Sequence, residues 1–210
     1  MDELIESKLQ KADYAFKNWK NTDFVERQQL LRKAASILKQ KSEEFGKIIT
    51  KEMNKPISQS IAEVEKCASM MEYYADAENI LKPEKIESEY AVSEVHFVPK
   101  GVVLGVMPWN FPFWQVLRFA TPTILAGNTV VLKHASICFE SVNAIEKVFL
   151  EAGFPEGIFQ NLEVSHKAVK AILEHEAVKA VSLTGSEKAG AEVASIAGSK
   201  IKKSLLELGG

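Results

Sequence analysis

From Gly101 onward, short apolar runs alternate with single segments of helical periodicity, and no other feature narrows the possible folds as much. The order is GVVLGVMP, a helix near 112–125, NTVVLK, a helix near 139–152, GIFQNL, a helix near 166–174, VKAVSL, a helix near 186–198, and KKSLLEL. Runs that are apolar throughout suit strands covered on both faces, and one helix between successive strands is the signature of βαβ units. The pattern predicts an α/β fold built on a doubly wound parallel sheet.

The preceding residues read differently. Leu30, Leu31, Ala34, Ile37, Leu38, Phe45 and Ile48 recur at three- and four-residue intervals among charged residues, giving one buried helical stripe between Phe24 and Ile49. Asn21-Thr22-Asp23 supplies a cap before it and Asn54-Lys55-Pro56 a break after it, because proline disfavours helix in the residue before it. A further helix is expected from about Ile57 to Asn79. After Pro83, IESEYAVSEVHFV at 86–98 alternates as a hairpin or a pair of short strands. The expected organisation is a helical region at 1–85, a hairpin of the kind used in oligomerisation at 86–99, and the parallel-sheet domain at 100–210.

Composition removes some function classes. A formal charge of −2 over 210 residues provides no basic field of the kind that binds nucleic acid or anionic membranes. The amino terminus is charged throughout and no stretch approaches the roughly 18 apolar residues of a membrane span. Two cysteines, Cys67 and Cys138, without CxxC spacing, suggest neither a disulfide framework nor a metal site. A reducing, cytoplasmic setting is the expectation.

Four segments carry candidate chemistry. In GVMPWNFPFWQ, residues 105–115, a strand ends in a proline-bracketed turn, the position where open α/β sheets bind ligands. Asn110 there is either a turn-forming residue or a neutral amide able to donate to a developing oxyanion. NTVVLKHAS, residues 128–136, is a strand ending in Lys133, which is either a solvated strand-end lysine or a ligand for ribose hydroxyls and phosphate. Ser136 places a small hydroxyl where an acidic residue would repel a 2′-phosphate. VKAVSLTGSEKAG, residues 178–190, reads as strand, glycine-containing turn and helix, aiming helix-start amides at whatever lies before Gly185 and Ser186. In the terminal KKSLLELGG, Glu207 is either a solvent-facing strand-end carboxylate or a buried one whose pKa rises toward the range of a general base.

Taken in order, PWNFP, a strand ending in Lys before Ala-Ser, GFPEGIF at 153–159, TGSEKAG and LELGG resemble the aldehyde dehydrogenase superfamily, and EMNKPISQSIAEVEKCA at 52–68 looks like its helical lead-in. PWNFPFWQVLRFA, LKHAS and LTGSEKAG are most similar to bacterial succinate-semialdehyde dehydrogenases. The resemblance implies a Rossmann-like cofactor domain, NAD or NADP as cofactor and a small aldehyde as substrate. In that family a cysteine thiolate attacks the aldehyde, hydride passes to the nicotinamide, and a glutamate activates water for thioester hydrolysis.

Carried onto this sequence, the resemblance implies Asn110 as the side-chain half of an oxyanion hole and Glu207 as general base. Trp109 and Asn110 would line the nicotinamide end. Lys133, His134, Ala135 and Ser136 would hold the adenosine ribose and any 2′-phosphate. Gly185 and Ser186 would approach the diphosphate, and Leu208 would lie beside the nicotinamide. Arg118, eight residues after Asn110, matches the arginine that takes the distal carboxylate of succinate semialdehyde, a geometry that suits a guanidinium fork; a structural salt bridge is its other reading.

His134 stands where many superfamily members have proline, and Leu183 where many have phenylalanine. The family's nucleophilic cysteine is expected a few dozen residues beyond the glutamate, past Gly210, and neither Cys67 nor Cys138 occupies its motif. The chain is therefore expected to be the amino-terminal part of such an enzyme, inactive alone, able to associate with a second copy or with a carboxy-terminal half. A non-catalytic dinucleotide-binding or assembly module is the alternative. A reductase of acyl phosphates is a third reading, which Asn110 and Glu207 disfavour.

Overall fold

A computed structural model describes residues 2–78 and 80–209. Four helices come first: α1 (Glu3–Trp19), α2 (Phe24–Gln40), α3 (Ser42–Met53) and α4 (Ile57–Asp76). Asp2 caps α1 by accepting from the Leu4 amide. The stripe expected from Phe24 to Ile49 is buried as one surface, but two helices carry it. Lys41 joins them with φ −109° and ψ 18°. The chain turns there so that α3 packs on α4, where Gly46 lies so close that an added Cβ would meet Ile61 Cγ1 at 2.7 Å. Periodicity registers the stripe and not a one-residue break within it. Asn54, left-handed at φ 56°, ends α3, and α4 ends before the expected Asn79, which lies outside the described residues.

Two very short strands follow, β1 (Glu84–Lys85) and β2 (Glu94–Val95), paired antiparallel. The hairpin thus starts before residue 86, and much of the alternating stretch is an open loop with Tyr90, Val92 and Val98 exposed. Beyond it come β3 (Val102–Val106), α5 (Trp114–Leu125), β4 (Thr129–Lys133), α6 (Phe139–Glu151), β5 (Phe159–Asn161), α7 (Val169–Glu174), β6 (Val178–Ser186), α8 (Glu187–Ser199) and β7 (Lys203–Gly209). The five main strands are all parallel, in the order β5-β4-β3-β6-β7. This is the Rossmann-like, doubly wound α/β sheet that the strand–helix alternation predicts.

Alternate side chains of the sheet feed two cores. Val130, Leu132 and Phe159 face a cluster shared with α5, α6 and the lead-in helices α2–α4. Val102, Leu104 and Val131 face another, built with α1, α7 and α8. Trp19 ties the lead-in to the first layer by donating from Nε1 to the Ile124 carbonyl at 3.0 Å. Among the described residues no helix is long and apolar enough to cross a membrane.

Winding outward from β3 in one direction and then returning through β6 puts the topological switch between those two strands. Ligands of open α/β sheets occupy the crevice beyond the carboxyl ends at such a point. The residues that border it are the loop after β3, the end of β4, the end of β6 and the end of β7.

Candidate active site

The loop after β3 is pinned from several sides. The Met107 amide donates to the Lys133 carbonyl and the Ala135 amide to the Met107 carbonyl, both at 3.1 Å, so the β3–β4 pairing runs on past the strand ends. His134 is buried, and its Nδ1 accepts from the Ala135 amide at 2.8 Å. That fixes the proton on Nε2, which donates to the Pro112 carbonyl at 3.0 Å. Burial lowers the imidazole pKa to about 4, so the ring is neutral at pH 7.

Glu63 of α4 grips the other end of the loop. Its Oε1 accepts from the Phe113 and Trp114 amides at 2.9 and 3.0 Å, and its Oε2 from Lys55 Nζ at 2.5 Å. Lys55 Nζ also sits 3.8 Å from the centroid of the Phe111 ring. Lys55 and Glu63 are only 8% and 2% exposed, a buried pair whose hydrogen bonds are shared with the backbone they hold. Phe113 is buried against Phe45, whereas Trp109, Asn110 and Phe111 are exposed. Among the described residues nothing pairs with the Asn110 carboxamide, so a rigid loop presents an unused amide at the switch point.

The helix starts around the crevice are unequal. Glu63 caps α5. Glu52 of α3 caps α6, accepting from the Glu140 and Ser141 amides and from Ser141 Oγ, and burial raises its pKa. These carboxylates occupy the positive ends of both helix dipoles. The start of α8 has only its own cap, Ser186 Oγ accepting from the Ala189 amide at 3.3 Å. Of these three helix starts, α8 is the one left for an external anion.

The expected glycine turn at that point is absent. Gly185 and Ser186 belong to β6, paired with Leu208 and Gly209, and α8 follows directly with Ser186 as its cap. The strand runs on because β7 pairs with it throughout. Beside α8, a groove of about 620 Å³ against α7 is lined by Val169, Val193 and Ile196 with His166 and Lys170 at its rim.

Lys133 closes the third side. Burial lowers its pKa, and among the described residues no acceptor reaches its ammonium. Ala135 is half-buried and Ser136, exposed, begins the turn leading to α6. His134 is inward-facing with both ring nitrogens used, so its imidazole shapes the loop and has no nitrogen left for a nucleotide.

Of the two readings of Glu207, the structure takes the solvent-facing one. β7 is an edge strand, exposed along most of its length despite its leucines, because β6 alone flanks it. The carboxylate is not buried. It makes a fork-to-fork pair with Arg118 of α5: Nη1 donates to Oε1 at 2.9 Å, and Nη2 donates to Oε2. Arg118 Nη2 also donates to Gln115 Oε1 at 3.0 Å, while its Nε is buried without a partner. Leu208 turns to the opposite face, against Gly190 of α8. The fold thus joins Arg118 to Glu207 and groups Asn110, Lys133 and Ser186 at the carboxyl ends of neighbouring strands.

Glu52, Lys55 and Glu63 were not singled out from sequence, although a glutamate adjoining Val64 in the buried phase of a helix is a signal that could have found Glu63. The α7–α8 groove was also missed, since it joins two helices with no chemical motif. Cys67 and Cys138 are both buried; burial raises the first thiol well above its usual range and pushes the second to about 12.

A family model described as "Aldehyde dehydrogenase family" matches residues 2–210. The chain is 47% identical over 207 residues to a probable succinate-semialdehyde dehydrogenase [NADP(+)] of Synechocystis sp., covering 98% of this chain and 46% of that protein. It is 42% identical over 209 residues to the succinate semialdehyde dehydrogenase [NAD(P)+] Sad of Escherichia coli, covering 98% and 45%. Among solved structures, a succinic semialdehyde dehydrogenase from Streptococcus pyogenes in complex with NADP+ superimposes with a TM-score of 0.96 at 38% identity, over 100% of this chain and 47% of that one. An NAD-dependent aldehyde dehydrogenase from Sinorhizobium meliloti gives 0.94 at 29%, over 99% and 42%. The chain spans about half the length of the curated relatives it matches.

Proposed function

Because the chain belongs to the aldehyde dehydrogenase family, we propose that its site serves the oxidation of succinate semialdehyde, or a similar small aldehyde, to the carboxylate with NADP or NAD. The observation that carries this reading is one juxtaposition. The Asn110 amide and the Lys133 ammonium, both without a partner among the described residues, and the open start of α8 all border the crevice at the sheet's switch point.

These residues fit a dinucleotide. The α8 amides and Ser186, open to close approach because Gly185 has no side chain, would hold the diphosphate. Lys133 would donate to the adenosine ribose and, with Ser136 and Ala135, would accommodate a 2′-phosphate. The groove between Val169 and the Val193–Ile196 face would hold the adenine. Trp109 and Asn110 would line the nicotinamide end, with Leu208 beside it. When bound, the nicotinamide supplies the hydride acceptor.

Toward the aldehyde, the Asn110 amide donates to the carbonyl oxygen as negative charge develops on it. Its loop is already held by Glu63 and His134, so little reorganisation opposes that bond. Glu207 accepts a proton from the hydrolytic water, and Arg118 takes the distal carboxylate. Neither Cys67 nor Cys138 is the nucleophile, because both thiols are buried and burial opposes thiolate formation. The 210 residues by themselves are accordingly a dinucleotide-binding body without turnover.

Calorimetry with NADP and NAD tests the reading. Both bind, and Lys133→Ala weakens NADP about tenfold, the loss of a charge-assisted contact, with a smaller effect on NAD. Failure of the folded chain to bind either dinucleotide overturns it. NADPH production from succinate semialdehyde by this polypeptide stays at background, and an ordinary enzymatic rate would show that a nucleophile is present after all.

A further inference from the structure

Arg118 and Glu207 hold each other. The arginine has few open positions. Its Nε is buried, Nη2 is partly used by Gln115, and the outward fork of Nη1 and Nη2 is filled by both oxygens of Glu207. With the two side chains 35% and 43% exposed, that fork is the edge a solute can reach. An arriving carboxylate therefore finds no vacant bidentate position on Arg118.

We infer that a carboxylate-bearing substrate and Glu207 compete for the same guanidinium fork, so that binding of the substrate's distal carboxylate releases Glu207. The inference rests on the reading of Arg118 as anchor and Glu207 as base. The exchange replaces one charge-assisted, two-bond pair by another, leaving the arginine's hydrogen bonds conserved in number. Its consequence is selective. While clamped, both Glu207 oxygens accept from Arg118, and the guanidinium charge opposes their taking a proton from water. An aldehyde that carries a carboxylate frees the base, whereas an uncharged aldehyde of equal length leaves it clamped. Discrimination then arises in turnover as well as in affinity.

Butyrate, which has the carboxylate and chain length but no aldehyde, is the probe for the chain described here. Its Kd is measured by ligand-observed NMR for the unaltered protein and for Glu207→Gln, Arg118→Gln and Arg118→Lys, each checked for folding by circular dichroism. Competition makes Glu207→Gln bind butyrate about two- to fivefold more tightly, the scale of an exposed ion pair removed from contention. Arg118→Lys, which keeps the charge and loses the fork, binds about tenfold more weakly, and Arg118→Gln weaker still. In unaltered protein labelled at glutamate carboxyl carbons, the Glu207 signal moves in proportion to bound butyrate.

A Glu207 signal unmoved at saturation, or a Glu207→Gln affinity equal to or below that of the unaltered protein, overturns the exchange and leaves Arg118 as anchor intact. Butyrate binding that is absent, or indifferent to both Arg118 variants, overturns the anchor reading itself and the exchange with it.

Discussion

Removing the Glu63 carboxylate would leave three donors without an acceptor: the amides of Phe113 and Trp114 and the buried ammonium of Lys55. Glu63→Ala should therefore cost about 3–5 kcal/mol in chemical denaturation, the range for breaking a buried pair by taking one partner. Glu72→Ala, which breaks the exposed pair with Lys39, should cost less than about 1 kcal/mol. Equal losses would show that burial does not decide the matter. His134 gives a pH signature. Its folded-state pKa, near 4, lies below the unfolded value, so the unfolded chain takes up a proton first as pH falls. The stability held by neutral His134 is complete above about pH 6.5, is lost between about 6.5 and 4, and amounts to roughly 3 kcal/mol. Glu52, whose pKa is raised, contributes with the opposite sign, so the test is the difference between the unaltered protein and His134→Gln at pH 7 and pH 4.5. Asn110 and Lys133 were legible in sequence because the strand before each one announces its position. Glu63 and Lys55 were not, because the backbone they hold lies some fifty residues further along the chain.

Elements were legible where one face or both were plainly apolar, and least so where a neighbour decides the outcome. The doubly wound order could be expected from strand–helix alternation, whereas KKSLLEL, apolar enough to be covered, is an exposed edge. Apolar content describes what a strand could bury, not whether a second strand arrives to cover it. The division of α2 from α3 at Lys41 escaped for the converse reason, since both helices feed one core and the stripe passes through unbroken. The turn from α6 into β5 carries a sharper local demand. Gly157 has φ 91°, and a Cβ there would lie 2.8 Å from the Lys11 carbonyl oxygen of α1. Gly157→Ala should lower stability by about 2 kcal/mol, combining left-handed strain with a backbone clash. If urea midpoints of the two proteins coincide, α1 can move aside and the close packing of α1 against that turn is less binding than the geometry implies.

At the scale of the whole molecule, the lead-in helices and the parallel sheet share one hydrophobic cluster and a set of capping carboxylates, so they should unfold together. Thiol labelling reads this directly. Cys67 lies on α4 and Cys138 at the approach to α6, both buried. Neither should react quickly with a thiol reagent in the native protein, and both should become reactive in the same denaturant range. One thiol modified at once under native conditions, or two well-separated transitions, would contradict that coupling. The capping carboxylates also bear on how the site comes into being during synthesis. A ribosome releases the residues of α3 and α4 before the loop that holds Asn110, so Glu52, Lys55 and Glu63 are already available when Phe113, Trp114 and Ser141 emerge, and the caps close only once both parts are present. The Rossmann-like half is thus no portable cassette: grafted elsewhere without its lead-in, it would carry the residues of the crevice and lack the mould that shapes them.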